Sequence, residues 1–195
     1  MKELPFDVIL HLAGEQSLPI YIGMRQCACK RHVIVVSDKT RPIGENVQRV
    51  ARQGGFTVDL SLIPPYDTPQ AIKCFQTLIA DNPGCALNLT GGTKPMFAAG
   101  YQAGFAANIP MFYIETTGKT LDWIGAQPSK QPLTRAVDSV QTFIELAGFH
   151  FNKTHVSPVS IDSGLLDLCW RNRDALGRWY KRVSEYNKYP GVPFK

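Results

Sequence analysis

The sequence predicts an α/β protein: a mostly parallel sheet with helices on both faces, an antiparallel hairpin near its C-terminal side and a small helical C-terminal extension. Three observations carry this. Short apolar runs at 6–12, 32–38, 57–63, 85–89 and 111–116 alternate with stretches of helical spacing. Several of those runs are continuous rather than alternating, as strands buried on both faces are. Finally, "TTGKT" joins "MFYIET" to "TLDWIG" by a turn short enough to force an antiparallel pair.

Taken in order, "FDVILHL" (6–12) reads as a buried strand, followed by the loop "AGEQSLP" and a helix near 18–28. "HVIVVSD" (32–38) is the second strand. In "IGENVQRVARQGG" (43–55), Ile43, Val47, Val50 and Ala51 recur at helical spacing and the two glycines supply the stop. "TVDLSLI" (57–63) is the third strand. The helix over 66–84 has a capping residue in Asp67 or Thr68, Pro69 in its first turn, and Ile72, Phe75, Leu78 and Ile79 as its buried stripe. "CALNL" (85–89) is the fourth strand. Residues 95–108, "PMFAAGYQAGFAAN", form a small-residue helix able to lie close on a sheet. The hairpin follows. "AQPSKQP" (126–132) reads as a linker, dividing the chain into a sheet domain, 1–128, and a helical connector, 129–195. "LTRAVDSVQTFIELAGF" (133–149) is expected as a helix, and "DSGLLDLCWRNRDALGRWYKRVSEY" as one or two more.

Composition narrows the function. The chain is 195 residues long, 44% hydrophobic and 19% charged, an ordinary soluble balance with room for one sizeable core. No apolar run approaches membrane-spanning length, and the N-terminal segment, carrying Asp7, does not read as a signal peptide. The net charge of +5 sits in residues 171–195, where seven basic residues face two acidic ones, so the rest is near neutral and is not a basic nucleic-acid surface. The five cysteines include Cys27 and Cys29 as a C-x-C pair and no metal-type spacing, which fits reduced thiols and a cytoplasmic location. His11, inside an apolar strand, reads as a hydrogen-bonded core residue, and His32 as a solvent-facing strand start. His150 and His155 have no further ligands near them, so neither a metal nor a cofactor is expected.

The chemistry concentrates in "NLTGGTK" (88–94). If the first and fourth strands are neighbours, this loop and "AGEQS" (13–17) face one crevice at the carboxyl end of the sheet. Gly91 and Gly92 permit positive φ and close approach to a ligand. The helix that follows offers free N–H groups and its dipole to an anion. Thr90 and Thr93 add hydroxyls, and Lys94 a point charge suited to phosphate. A triphosphate loop would need G-x-x-x-x-G-K-[ST]. In this chain the glycines are adjacent and Pro95 stands where the metal-binding hydroxyl would be. The residues suit phosphate held without a metal. They would equally make a tight strand-to-helix turn that holds nothing.

The run from Asn88 through Lys94 and Met96, with "PPYD" (64–67), the hairpin "MFYIETTGKTLDWI" and the helix ending "ELAGF", resembles the CARF (CRISPR-associated Rossmann fold) sensor domains, especially those fused to restriction-type nucleases in type III CRISPR systems. The resemblance covers roughly residues 5–150. It implies a Rossmann-like fold and a homodimer whose paired crevices bind cyclic oligoadenylate, a messenger of antiviral defense. Carried over by position, Thr90, Gly91, Gly92, Thr93 and Lys94 would hold the phosphate–ribose backbone. Ala13, Gly14, Glu15, Gln16 and Ser17 would line the opposite wall, with Ser17 as a hydroxyl donor. Asp38 and Lys39 are weaker candidates.

One part of the family pattern is missing. A restriction-type nuclease needs two acidic residues and a lysine near a metal. Glu115 with Lys119, and Glu185 with Lys188, do not supply that set. The implied function is a sensor controlling an effector nuclease that this chain does not contain, with 129–195 as a partly winged-helix-like connector. Two alternatives follow from the same resemblance. One is a ring nuclease cutting its own ligand, with Lys94, Thr93 and Ser17 positioning the phosphate for its 2′-hydroxyl. The other is a transcription regulator reading DNA through residues 134–195. There the arginines and lysines, and Trp170, Trp179, Tyr180 and Tyr186, read first as a connector and as packed helix faces.

Overall fold

The computed structural model describes residues 5–149 except 118, 126, 127, 135, 136 and 138. The helices expected beyond 150, the basic tail, and His150 and His155 lie outside the described residues. The elements run β1 (Phe6–Leu12), α1 (Leu18–Gln26), β2 (Cys29–Val36), α2 (Arg41–Gln53), β3 (Val58–Leu62), α3 (Thr68–Ala80), β4 (Cys85–Asn88), α4 (Lys94–Ala106), β5 (Met111–Glu115), β6 (Thr120–Ile124), β7 (Ser129–Pro132) and α5 (Val140–Leu146). They form one seven-stranded sheet in the order β3-β2-β1-β4-β5-β6-β7. The first five strands in that order are parallel, while β6 and β7 return antiparallel. This is the mostly parallel, Rossmann-like sheet the sequence predicts.

Side-chain alternation along the strands sorts the core into two layers. Val8, Leu10, Leu12, Val33, Val35 and Leu87 point to one face and pack under α3 and α4, around the fully buried Phe75 and Met96. Ile34 and Val36 point to the other, under α1 and α2, with Ile20, Tyr21, Met24 and Val47. The small residues of α4 let it sit close to the sheet. A Cβ on Gly100 would lie 3.1 Å from Leu89 Cδ2, and one on Gly104 would lie 2.6 Å from Met111 Sδ. α3 starts as expected: Asp67 accepts a hydrogen bond from the Gln70 N–H at 3.0 Å, with Pro69 in the first turn.

Three expectations change. His32 is buried, because β2 begins three residues earlier, at Cys29, and the Phe56 ring packs edge-on against the imidazole at 5.4 Å. Part of the expected linker is β7, an exposed edge strand paired with β6 and held by a 3.0 Å ion pair between Lys130 and Asp122. Nothing in "SKQP" alternates, since neither of its faces is buried. The helix expected from 133 begins at Val140, because Ser139 is extended and its Oγ caps the Thr142 N–H at 3.0 Å. Both β7 and α5, which follow residue 128, belong to the same compact unit as β1.

α5 is anchored to the α1–α2 layer. Asn46 Nδ2 donates to the Glu145 and Leu146 carbonyls at 2.8 and 3.1 Å, and Ser17 Oγ donates to the Leu146 carbonyl at 2.6 Å. Leu146 itself is buried in that layer.

Candidate functional site

The sheet reverses direction of winding between β1 and β4, which pair side by side with Leu10 opposite Leu87 and His11 opposite Asn88. From β1 the chain winds towards β2 and β3, and from β4 towards β5. A crevice at the carboxyl ends of these two strands is the ordinary ligand position in such a sheet.

The two loops that leave those strands touch. Gly91 lies against the end of β1 so closely that a Cβ there would sit 2.1 Å from the Leu12 carbonyl oxygen and 2.6 Å from the Gly14 nitrogen. Gly92 has φ +82°, the left-handed region that glycine occupies without strain. A Cβ on Gly14 would meet the Gly92 nitrogen at 3.3 Å. The adjacent glycines are therefore explained by two different demands, close approach at the first and backbone twist at the second.

The threonines act within the protein. Thr90 Oγ1 donates to Asn88 Oδ1 at 2.5 Å and accepts from the Ile114 N–H at 2.7 Å, fastening the loop to β5. Thr93 caps α4 by accepting from the Met96 N–H, and donates its own proton to the Pro65 carbonyl at 2.6 Å. A hydroxyl has one proton to donate, and in both threonines an acceptor within the protein takes it. What remains for a ligand is backbone. Among the described residues the N–H groups of Gly91, Gly92, Thr93 and Lys94 have no hydrogen-bond partner, and Lys94 is exposed and makes no ion pair. These groups stand at the N-terminus of the 13-residue helix α4.

The opposite loop is more divided. Ala13 is buried, and its N–H donates to the Val35 carbonyl at 2.9 Å. Gly14 makes the contact with the glycine loop. Glu15 and Gln16 are exposed, and Glu15 pairs with Lys39 at 2.7 Å, a contact that lowers the Glu15 pKa and raises that of Lys39. Ser17 faces α5. A cavity of about 430 Å³ lies between α1, α2 and α5, lined by Glu15, Ser17, Asn46 and Phe143 among others, and does not reach the glycine loop. The structure thus brings Gly14 together with Gly91 and Gly92, and turns Ser17 away towards α5.

Two features escaped the sequence reading. Tyr66 is 75% exposed at the end of the β3–α3 loop whose Pro65 carbonyl Thr93 holds. The "PPYD" motif was the available signal, since two prolines before a helix cap make a stiff pedestal. The other is a buried polar chain beneath the loop. His32 Nδ1 and His11 Nε2 are 3.0 Å apart, and His11 Nδ1 and Asn88 Nδ2 are 3.1 Å apart. Burial holds the His11 pKa well below its ordinary value, with the His32 charge acting in the same sense, and burial lowers His32 to about 4. Among the described residues no three His, Cys, Asp or Glu side chains gather into a metal site.

No protein-family model matches the chain, and no curated protein does. Solved structures do. Can2 from Sulfobacillus thermosulfidooxidans, solved in complex with cyclic tetra-adenylate, superposes with a TM-score of 0.68 at 17% identity, over 74% of this chain and 40% of that one. Protein VC1899 from Vibrio cholerae gives 0.66 at 12% identity, over 75% and 42%. A type III CRISPR defence DNA nuclease activated by cyclic oligoadenylate gives 0.58 at 19% identity, over 100% and 33%. The chain shares the fold of these three proteins, as the resemblance to CARF sensor domains implies. This chain spans 33 to 42% of the length of those three proteins, so the shared fold accounts for a part of each. No helix among the described residues is long and apolar enough to cross a membrane.

Proposed function

We propose that this chain is a dimeric sensor of cyclic oligoadenylate in type III CRISPR signalling, acting in the cytoplasm on an effector carried outside these 195 residues. The observation that carries the reading is the set of four N–H groups, Gly91 to Lys94, at the N-terminus of α4, which with the Lys94 ammonium have no partner among the described residues. That arrangement suits a phosphodiester backbone and requires no metal. Its position at the β1–β4 switch point matches where this fold type binds ligands. Two of the proteins with the same fold were solved with, or are activated by, such a messenger.

A second copy is supported by α4. Phe97, Tyr101 and Phe105 stack in a ladder at ring distances of 6.4 and 6.0 Å, and Tyr101 and Phe105 are 38% and 61% exposed. This apolar face begins one turn after Lys94. A two-fold axis alongside α4 would present two glycine loops to one symmetric ring.

Transmission is supported by the β1–α1 loop, which touches the glycine loop through Gly14 and α5 through Ser17. A ligand that pulls on the first contact biases the second only by its differential affinity for the two arrangements. The ring-nuclease alternative draws less support. Of Lys94, Thr93 and Ser17, the two hydroxyls donate to Pro65 and Leu146 instead of to the crevice.

The test is titration calorimetry of the purified chain with cyclic tetra- and hexa-adenylate, followed by chromatography for linear products. Binding of one ring at two chains per ring is expected. No heat with either ring rules out the sensor. Accumulating linear adenylate would promote the nuclease reading.

A further inference from the structure

The hydrogen-bond chain beneath the glycine loop has a direction, fixed from its loop end. Asn88 Oδ1 accepts twice, from the Thr90 N–H at 3.0 Å and from the Thr90 hydroxyl at 2.5 Å. The Asn88 side-chain oxygen therefore faces the loop, and its NH2 group faces His11. His11 Nδ1 must then accept, which makes His11 the Nε2–H tautomer. Nε2–H donates to His32 Nδ1, so neutral His32 carries its proton on Nε2; Cys29 Sγ lies beside the ring, 3.4 Å from Nδ1 and 3.5 Å from Nε2. The Cys29 thiol passes its own proton to the Arg31 carbonyl at 3.0 Å. A proton added to His11 Nδ1 would set two donors face to face at Asn88.

The surroundings leave no room for another arrangement. His11, His32 and Asn88 are all buried. Gly23 of α1 lies over the junction so closely that a Cβ there would be 2.6 Å from Asn88 Nδ2 and 3.3 Å from the His11 ring. Phe56 closes the His32 side. The titratable groups in contact with the chain are the two imidazoles and Cys29 on β2, and no carboxylate or ammonium among the described residues contacts His11 or His32.

We propose that His11 is a positioning residue for the ligand loop: acting through Asn88, it fixes Thr90, and so holds the N–H groups of Gly91 to Lys94 in their binding arrangement before the ligand arrives. The inference rests on the sensor reading for its ligand, but not for its geometry. The links run from His11 through Asn88 to Thr90, the residue that opens the loop whose N–H groups from Gly91 to Lys94 have no partner among the described residues.

The experiment compares wild type, His11→Leu and His11→Gln. Leu removes both hydrogen-bonding atoms. Gln restores one acceptor and one donor on an uncharged side chain. Affinity for cyclic tetra- and hexa-adenylate is measured by calorimetry, and backbone amide exchange of residues 90–94 is measured without ligand. His11→Leu should bind about tenfold more weakly and exchange faster at Gly91 to Lys94, while His11→Gln recovers most of both. Wild-type affinity or unchanged exchange in a folded His11→Leu overturns the proposal. If His11→Leu does not fold, nitrogen NMR of the wild type decides: Nε2–H tautomers at both histidines at pH 7 support the chain, and any other state at His11 overturns it. If wild type binds neither ring, the sensor reading falls, and the exchange data alone judge the positioning role.

Discussion

The hydroxyl of Thr93 donates to the carbonyl of Pro65 at 2.6 Å, which ties the glycine loop to the stem that carries Tyr66. The same oxygen caps α4 through the Met96 N–H. Thr93→Val removes both bonds while keeping the shape. It should destabilise the domain by about 1–2 kcal/mol in urea unfolding, within the range of a lost cap. A variant as stable as wild type would contradict the double role.

Tyr66 is exposed and held on a stiff stem beside that loop, an arrangement suited to stacking on an adenine. Tyr66→Ala should weaken ring binding about ten- to a hundredfold, whereas Tyr66→Trp preserves it, because stacking tolerates any flat aromatic surface. Calorimetry of the two variants side by side separates stacking from loss of fold. Equal affinities for Ala and Trp would remove Tyr66 from the site.

Lys94 offers a charge with no ion-pair partner among the described residues. Lys94→Ala should leave the melting temperature within about 1 °C, as surface substitutions usually do. Ring affinity should drop at least about tenfold, with a shallower dependence on salt. A variant that binds normally moves the anion site elsewhere.

The α4 ladder predicts an assembly phenotype. Phe105→Glu sets a charge on the face proposed to meet its twin. Sedimentation should give a monomer where wild type gives a dimer, and ring affinity should fall with it. A dimer that persists with Phe105→Glu assigns the interface to another surface.

Acid should weaken the fold through the histidines. Their folded pKa values lie below the unfolded value of about 6.5, to about 4 for His32. As pH falls below about 6.5 the unfolded chain takes up protons that the native chain refuses, so stability falls, for the His32 contribution down to about pH 4, while well above 6.5 neither histidine adds a slope. Both sites act in the same sense. Between pH 6.5 and 5, above the carboxylate range, the melting temperature should drop in wild type and drop less in His11→Gln. A flat profile there is incompatible with two neutral buried imidazoles.

The parallel strands and most of the helices were legible because their signals are local: β-branched apolar runs, and caps such as Asp67 before Pro69. The glycine loop was legible as chemistry, but the work done by its threonines was not. Nothing in "TGGT" says that Thr90 reaches β5 and Thr93 reaches Pro65, since those partners lie 24 and 28 residues away. His32 was misread because burial there comes from Phe56, brought in by the turn after α2. β7 was missed because an edge strand with two wet faces carries no hydrophobic period.

That edge strand has a consequence for how the molecule can be built upon. β7 ends the sheet with Lys130 and Pro132, a charge and a residue without an N–H, and all four of its residues are exposed. At the far side, Asp59 of β3 is paired with Arg31 at 3.0 Å. Borders of this kind resist the addition of another strand. Growth of the sheet from molecule to molecule, the route to fibres, is thereby disfavoured, and assembly is directed to helix faces and loop ends, where it can close on itself and stop.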